Sequence, residues 1–381
     1  MSSKEFDVIV VGAGPAGVSA AKSSAATGAR TLLLEKNPAI MALKPCGQAV
    51  SRQTLKTAGV DPEIPGLILN EVYALVYAPN MKCVQIGETG YLINKTILLQ
   101  EIAAQAAELG AEIRVHEEFL DLKRVNGKFL VKTGGDTYSA SVIIGADGYN
   151  SRVARRLGVS ERSELIPTLQ YLLAGRSSGV SDAIRIYLGN KIAPKGYAWI
   201  FPITNKLVEV GIGVRDAPIK PYIENFIKMF SREFGKAQII DRRGAPVPVG
   251  GVIREYVLDG AILIGDAAGM VIPLTGGGIH SSIAAGLAAG KVAGEAASED
   301  VSRERLREFD EEYAPWLNRI RRSLKVLRAL ERLSDDDLNQ LAEVLEDRDV
   351  VDLANGLDIA RVAKKLLVHP ILATRLARYL L

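Results

Sequence analysis

Six residues near the N-terminus, Gly12-Ala-Gly14-Pro-Ala16-Gly17, restrict what this chain can become more than any other stretch. They follow Phe6 to Val11 (FDVIVV), a short β-branched run of the kind buried in a parallel sheet. Small residues suited to a tightly packed helix come next and end near Gly28. Strand, G-x-G-x-x-G turn and helix together open a doubly wound dinucleotide-binding fold. Gly12 permits the tight turn, Gly14 lets backbone approach a pyrophosphate, and Gly17, beside Ala16, allows close helix–strand packing. The helix start offers unpaired N–H groups and a partial positive charge to phosphates. Arg30 to Glu35 (RTLLLE) reads as the second strand. Glu35 at its end is placed to accept hydrogen bonds from a ribose diol, with Lys36 at the same rim. The carboxylate disfavours a 2′-phosphate. The bland reading of the same residues is a glycine-rich turn with a solvated Glu35.

Two further clusters also sit at strand ends. Ser141 to Ala146 (SVIIGA) runs into Asp147-Gly148-Tyr-Asn-Ser151-Arg152, and Ala261 to Gly265 (AILIG) runs into Asp266-Ala-Ala-Gly269 and Gly276-Gly277-Gly278-Ile279. An NAD-type cofactor needs only the first cluster. A longer one crossing the sheet needs a second carboxylate for a sugar-alcohol chain, which Asp266 can supply. The triplet, at a helix start, offers amides to a negative charge or simply allows dense packing. The three signatures together resemble the flavoproteins of the aromatic-hydroxylase fold, over about the first 300 residues. That resemblance implies FAD, with Asp266 on the ribityl chain and Asp147 near the junction of the cofactor and nicotinamide regions. Gly276, Gly277, Gly278 and Ile279 would then lie against the isoalloxazine ring.

The expected architecture is α/β: a doubly wound FAD-binding domain, an inserted antiparallel β-sheet substrate domain and a C-terminal helical region. Residues 1–70, 94–160 and 255–300 are assigned to the first, 71–93 and 161–254 to the second, and 301–381 to the third. The insertion is marked by alternating, turn-punctuated segments such as AIRIYLG and LVEVGIGV.

Within that insertion, Tyr197, Trp199 and Phe201 of Pro194-Lys-Gly-Tyr-Ala-Trp-Ile-Phe-Pro202 fall on one strand face. Such a face suits either core packing or one wall of a ligand cavity. The P-x-x-Y-x-W-x-F-P pattern, with Lys44-Pro45-Cys46-Gly47 after the second strand, resembles the geranylgeranyl reductase family, of the archaeal digeranylgeranylglycerophospholipid reductase type. By that resemblance the chain reduces isolated C=C bonds of prenyl chains on a lipid substrate. Tyr197, Trp199 and Phe201 would line a prenyl cavity, and Cys46 and Gly47 would sit near flavin and substrate. Cys46, Tyr197 or an ordered water would be the proton source, and NAD(P)H or a ferredoxin the external reductant. Cys46 also fits a small buried hydrophobe. Where the family often carries an arginine, the segment Gly90 to Thr96 has Lys95, a point charge in place of a planar fork. His280, just past the triplet, is expected to pack or cap. Two other readings compete: a flavin monooxygenase or halogenase of the same fold, whose W-x-W-x-I-P segment YAWIFP matches only in part, and a non-enzymatic prenyl-lipid carrier, which has no need of the three FAD signatures.

Composition narrows the setting. Lys plus Arg total 47 against 44 Asp plus Glu, a balance too even to argue for nucleic acid. Two cysteines among 381 residues fit a reducing interior. The N-terminus enters a strand without signal-peptide features, and no apolar run of about 18 residues would span a bilayer. Three scattered histidines form no metal-ligand pattern. The expectation is a cytoplasmic protein, peripheral at the inner face of the membrane. Its C-terminal third alternates in charge: Pro315 to Arg332 holds six Lys/Arg, Leu333 to Asp358 nine acids, and Ile359 to Leu381 five Lys/Arg. Either these faces pack on one another, or a basic amphipathic helix meets anionic lipid.

Overall fold

The computed structural model of the protein describes residues 4–175 and 182–366. At its centre a six-stranded sheet runs in the order Val257–Leu258, Ala261–Leu263, Val142–Gly145, Val8–Val11, Thr31–Leu34, Glu112–Arg114. Every junction is parallel except the first, a hairpin. The strands Val8–Val11, Thr31–Leu34 and Val142–Gly145 are buried along their whole length, so their sequences read as unbroken apolar runs. All three glycine clusters leave the C-terminal ends of adjacent strands of this one sheet. That edge is where open α/β sheets bind ligands.

Two helices over this sheet lie unusually close. Gly286, Gly290 and Gly294 of the helix Ile279–Ala296 face Ala16, Ala20 and Ser24 of the helix Pro15–Ala26. A Cβ on Gly286 or Gly290 would overlap the Ala16 or Ala20 carbonyl, and one on Gly294 would overlap Thr27. The contacts advance in the same sense along both helices, so the helices are parallel. Their starts differ by six residues relative to this register, roughly 9 Å at 1.5 Å per residue.

An eight-stranded sheet carries the insertion, in the order Gln238–Pro248, Leu165–Ala174, Leu207–Gly213, Tyr197–Thr204, Ala183–Tyr187, Ile68–Tyr77, Cys83–Ile93, Ala49–Ser51. It is antiparallel but for one junction, Ala183–Tyr187 beside Ile68–Tyr77. Those strands belong to separate excursions of the chain, so no hairpin dictates their relative direction. Val208, Val210 and Ile212 point to one face, under Ile223 and Phe226 of the helix Ile219–Met229. Trp199, Phe201 and Ile203 lie on the other face with Val72 and Leu92. Hydrophobic pattern did not mark the short strand Ala49–Ser51, nor a separate four-stranded sheet of Lys4–Glu5, Thr137–Ala140, Lys128–Thr133 and Phe119–Val125.

The C-terminal helices are held by charge matching. Asp349 is wholly buried and receives Lys365 Nζ at 2.8 Å, Arg361 Nη1 at 2.6 Å and the Glu346 backbone N–H at 2.9 Å. Arg361 also reaches Asp352 at 2.7 Å. The basic segment starting at Ile359 thus packs on the acidic one as far as Leu366; its remainder, with His369, lies outside the described residues. Arg215, beyond the strand Leu207–Gly213, ties the large sheet to the helix Ala314–Leu330. It is ion-paired to Glu331 at 3.0 Å and to Glu164, and both acids also meet Arg328. Among the described residues no helix is long and apolar enough to cross a membrane.

Candidate functional site

The first cluster is shaped by steric demand. Gly12 has φ +99°, and a Cβ there would come 2.6 Å from the Ala146 carbonyl oxygen; one on Gly17 would overlap the Gly12 carbonyl. Gly14 is different: nothing lies within 4 Å of its missing side chain, so the space beside it is open. No side chain caps the helix that follows. Glu35 is buried, with Oε2 accepting the Ala13 N–H at 2.9 Å and Oε1 the Asn37 N–H at 2.8 Å. Lys36 beside it is exposed.

Asp147 abuts this turn from the neighbouring strand. Its Oδ2 accepts N–H groups of Arg152 at 2.6 Å and Val153 at 3.1 Å, while Oδ1 is buried with no hydrogen-bond partner. From the next strand, Asp266 Oδ2 pairs with Lys44 Nζ at 2.5 Å. Its Oδ1 faces Gly278, which starts the helix Ile279–Ala296, also without a side-chain cap. Lys44 lies over the Tyr149 ring, 5.6 Å from its centroid, so one ammonium spans the second and third clusters. Uncapped helix starts, room beside Gly14 and an orphan carboxylate oxygen form a polar, open cradle along the sheet edge. A dinucleotide with phosphates and sugar hydroxyls fits it.

The aromatic strand meets this cradle at its third cluster. Tyr197 donates its hydroxyl to the Thr275 carbonyl at 2.5 Å, next to Gly276 at φ +62°. Burial, and secondarily Cys46, push the Tyr197 hydroxyl up to about 12, so it stays protonated at neutral pH. Tyr197, Trp199 and Phe201 form a tilted row with centroids 5.8 and 6.2 Å apart. Trp199 and Phe201 are each 8% exposed and pack with Val72, Leu92 and Ile203. A Cβ on Gly47 would overlap the Phe201 ring, so the Cys46–Gly47 turn lies directly on this row. Cys83, by contrast, is exposed.

Sequence reasoning missed Glu209. It sits opposite Phe201 in the pairing of Leu207–Gly213 with Tyr197–Thr204 and is 4% exposed. Its signal was a lone acid alternating with valines. Lys95 is buried and turns its ammonium toward the Lys44 carbonyl at 3.4 Å.

His280 packs, as expected. Its Nε2 lies 2.9 Å from Thr57 Oγ1 and its ring stands edge-on to Trp316 at 4.6 Å. Burial first and Arg319 second push its pKa down from 6.5 to about 4. Between those values the unfolded chain binds a proton that the folded one refuses. Stability is therefore complete above pH 6.5 and falls as pH drops toward 4. Chemical denaturation at pH 7 and pH 4.5 should differ by on the order of 2 kcal/mol more for the wild type than for His280→Gln.

The family model described as "FAD binding domain" matches residues 5–323. Digeranylgeranylglycerophospholipid reductase 2 of Methanopyrus kandleri is 32% identical, across 99% of this chain and 100% of its own length. A solved geranylgeranyl bacteriochlorophyll reductase-like protein from Thermoplasma acidophilum superposes with a TM-score of 0.88 at 29% identity, covering 99% of this chain and 100% of that one. A flavin-dependent brominase superposes with a TM-score of 0.74 at 16% identity, over 93% of this chain and 94% of its own, a likeness of fold alone.

Proposed function

Because the chain belongs to the FAD binding domain family and, within it, to the digeranylgeranylglycerophospholipid reductases, we propose that it saturates C=C bonds of geranylgeranyl chains on a membrane lipid. The observation that carries this reading is the bond from Tyr197 to the Thr275 carbonyl, which ties an aromatic wall to the glycine triplet. An apolar chain lying along that wall would end at the ring-binding end of the cradle.

In this reading the amides after Gly12, Gly14 and Gly17, with Ala16, hold the pyrophosphate. Glu35 takes the ribose diol, with Lys36 at the rim. Asp266 takes the sugar-alcohol chain, and the free oxygen of Asp147 faces the cofactor edge. Gly276, Gly277, Gly278 and Ile279 meet the ring. Once bound and reduced, FAD would supply the hydride for one carbon of the double bond; the protein must deliver a proton to the other. Tyr197, Trp199 and Phe201 wall the prenyl chain and exclude water, so that the alkene is held in a fixed line. Cys46 and Gly47 close the same space from the cradle side. Tyr197 keeps its proton and holds the triplet loop. Electrons enter from NAD(P)H or a ferredoxin, and the protein works peripherally at the inner face of the membrane that carries its substrate.

The test is anaerobic. Bound flavin is photoreduced, a digeranylgeranyl glycerophospholipid is added, and the lipid is weighed by mass spectrometry. Two hydrogens gained per double bond is the expected result. A lipid of unchanged mass, or one altered only when oxygen is admitted, overturns the reading.

A further inference from the structure

The buried carboxyl of Glu209 has no cationic partner: among the described residues no ion pair includes it. Instead Oε1 accepts the Trp199 indole N–H at 3.0 Å, and Oε2 lies 3.1 Å from Gln170 Nε2. Beneath Trp199 is Gly211, where a Cβ would overlap the indole. The ring is therefore clamped between a glycine and a carboxyl. On the cradle side, a Cβ on Gly47 would come 3.5 Å from Glu209 Oε1, so only the Cys46–Gly47 turn separates this group from the proposed reaction space. Gln170 is half-buried and pairs in the sheet with exposed Arg243 of the edge strand. Glu209, Gln170 and the exposed Arg243 thus lie side by side on three neighbouring strands.

We propose that Glu209 is the source of the proton for the reduction, reloaded by water from the side of Gln170 and Arg243; the proposal rests on the reductase reading above. One carbon of the alkene accepts the hydride that the reduced cofactor supplies. The other takes a proton that one water carries from the Glu209 carboxyl past the Cys46–Gly47 turn, leaving a carboxylate held by Trp199 and Gln170. Water entering at the Arg243 edge returns the proton to the carboxylate, which the Gln170 amide N–H holds in place. Burial pushes Glu209 up to about 7, while the Trp199 hydrogen bond, Lys95 and Arg243 draw it down and Asp241 raises it, so that protonated and ionised forms coexist at neutral pH. A carboxylic acid of that strength is poised to give and regain a proton at neutral pH.

Two readouts test this, one independent of turnover. Trp316→Phe leaves Trp199 as the only tryptophan. Its emission should titrate near pH 7, and the transition should vanish in Trp316→Phe/Glu209→Gln. In the flavin-loaded enzyme, Glu209→Gln should lower single-turnover reduction by about 10²-fold or more with KM little changed, and Glu209→Asp should recover part of it. A Gln variant within about threefold of wild type, or a Trp199 emission flat from pH 5 to 9, overturns the proposal. So does a Gln variant altered only in KM with the wild-type pH profile. If the Gln variant fails to fold, Glu209→Asp and the single-tryptophan titration decide. Wild-type enzyme that adds no hydrogens defeats the reductase reading instead, which keeps the two failures apart.

Discussion

Gly17→Val should yield a colourless and destabilised protein, whereas Gly14→Ala should yield a colourless one of ordinary stability. The two glycines are separated by a helical turn but answer to different neighbours. At Gly17 a side chain would overlap the Gly12 carbonyl, so the strand–helix turn must open, at a cost of about 3 kcal/mol. Opening it displaces the Gly12 turn and the Ala13 N–H that Glu35 holds. At Gly14 a methyl meets no protein atom within 4 Å, and φ is an ordinary −73°. Only a bound cofactor can object to it. Flavin absorbance after purification, with urea denaturation of the apoproteins, separates the cases. Gly14→Ala is expected within about 0.5 kcal/mol of wild type yet at least tenfold weaker for FAD. Full flavin occupancy in Gly14→Ala would mean that the phosphates do not pass this point.

Arg215→Ala is expected to cost about 3–5 kcal/mol, the loss typical of stranding a buried charge. Arg215 is 8% exposed, and the Glu331 side chain it meets is 10% exposed at the seam between the large sheet and the helix Ala314–Leu330. Without the guanidinium, Glu331 retains only Arg328 as an ion-pair partner among the described residues. The double variant Arg215→Leu/Glu331→Leu should recover most of the loss, because no unpaired charge then remains in the seam. Urea denaturation of the three proteins measures this. A single variant within about 1 kcal/mol of wild type would show that water reaches Glu331 freely.

What was legible in the sequence was what sterics make obligatory. Gly12 and Gly17 have no substitute in their places, and a strand on either side fixes their setting, so the dinucleotide fold could be read from a handful of letters. Asp266 could be read for the same reason, as the acid after a buried strand. Its partner Lys44 could not, since 222 residues separate the two and only the tertiary fold joins them. Glu209 was hidden differently. In LVEVGIG an acid between valines suggests a solvent face. Its meeting with Trp199 depends on a strand register that slips just past Pro202; a proline in a strand signals a bulge or an edge but does not say how the pairing shifts. The parallel junction of the large sheet was equally invisible, because it joins two passages of the chain with no turn between them.

The ladder of Gly286, Gly290 and Gly294 has a consequence for selectivity. Backbone rests on backbone there, so the two helices cannot slide by a fraction of a turn; the next matching register lies about 5.4 Å away. The offset of roughly 9 Å between their starts is thereby a fixed length, set by protein against protein before any ligand arrives. A molecule that reaches one helix start and stops short of the other leaves a row of amides unanswered. The protein would thus gauge its cofactor by reach, with the gauge cut into the packing of one helix on another.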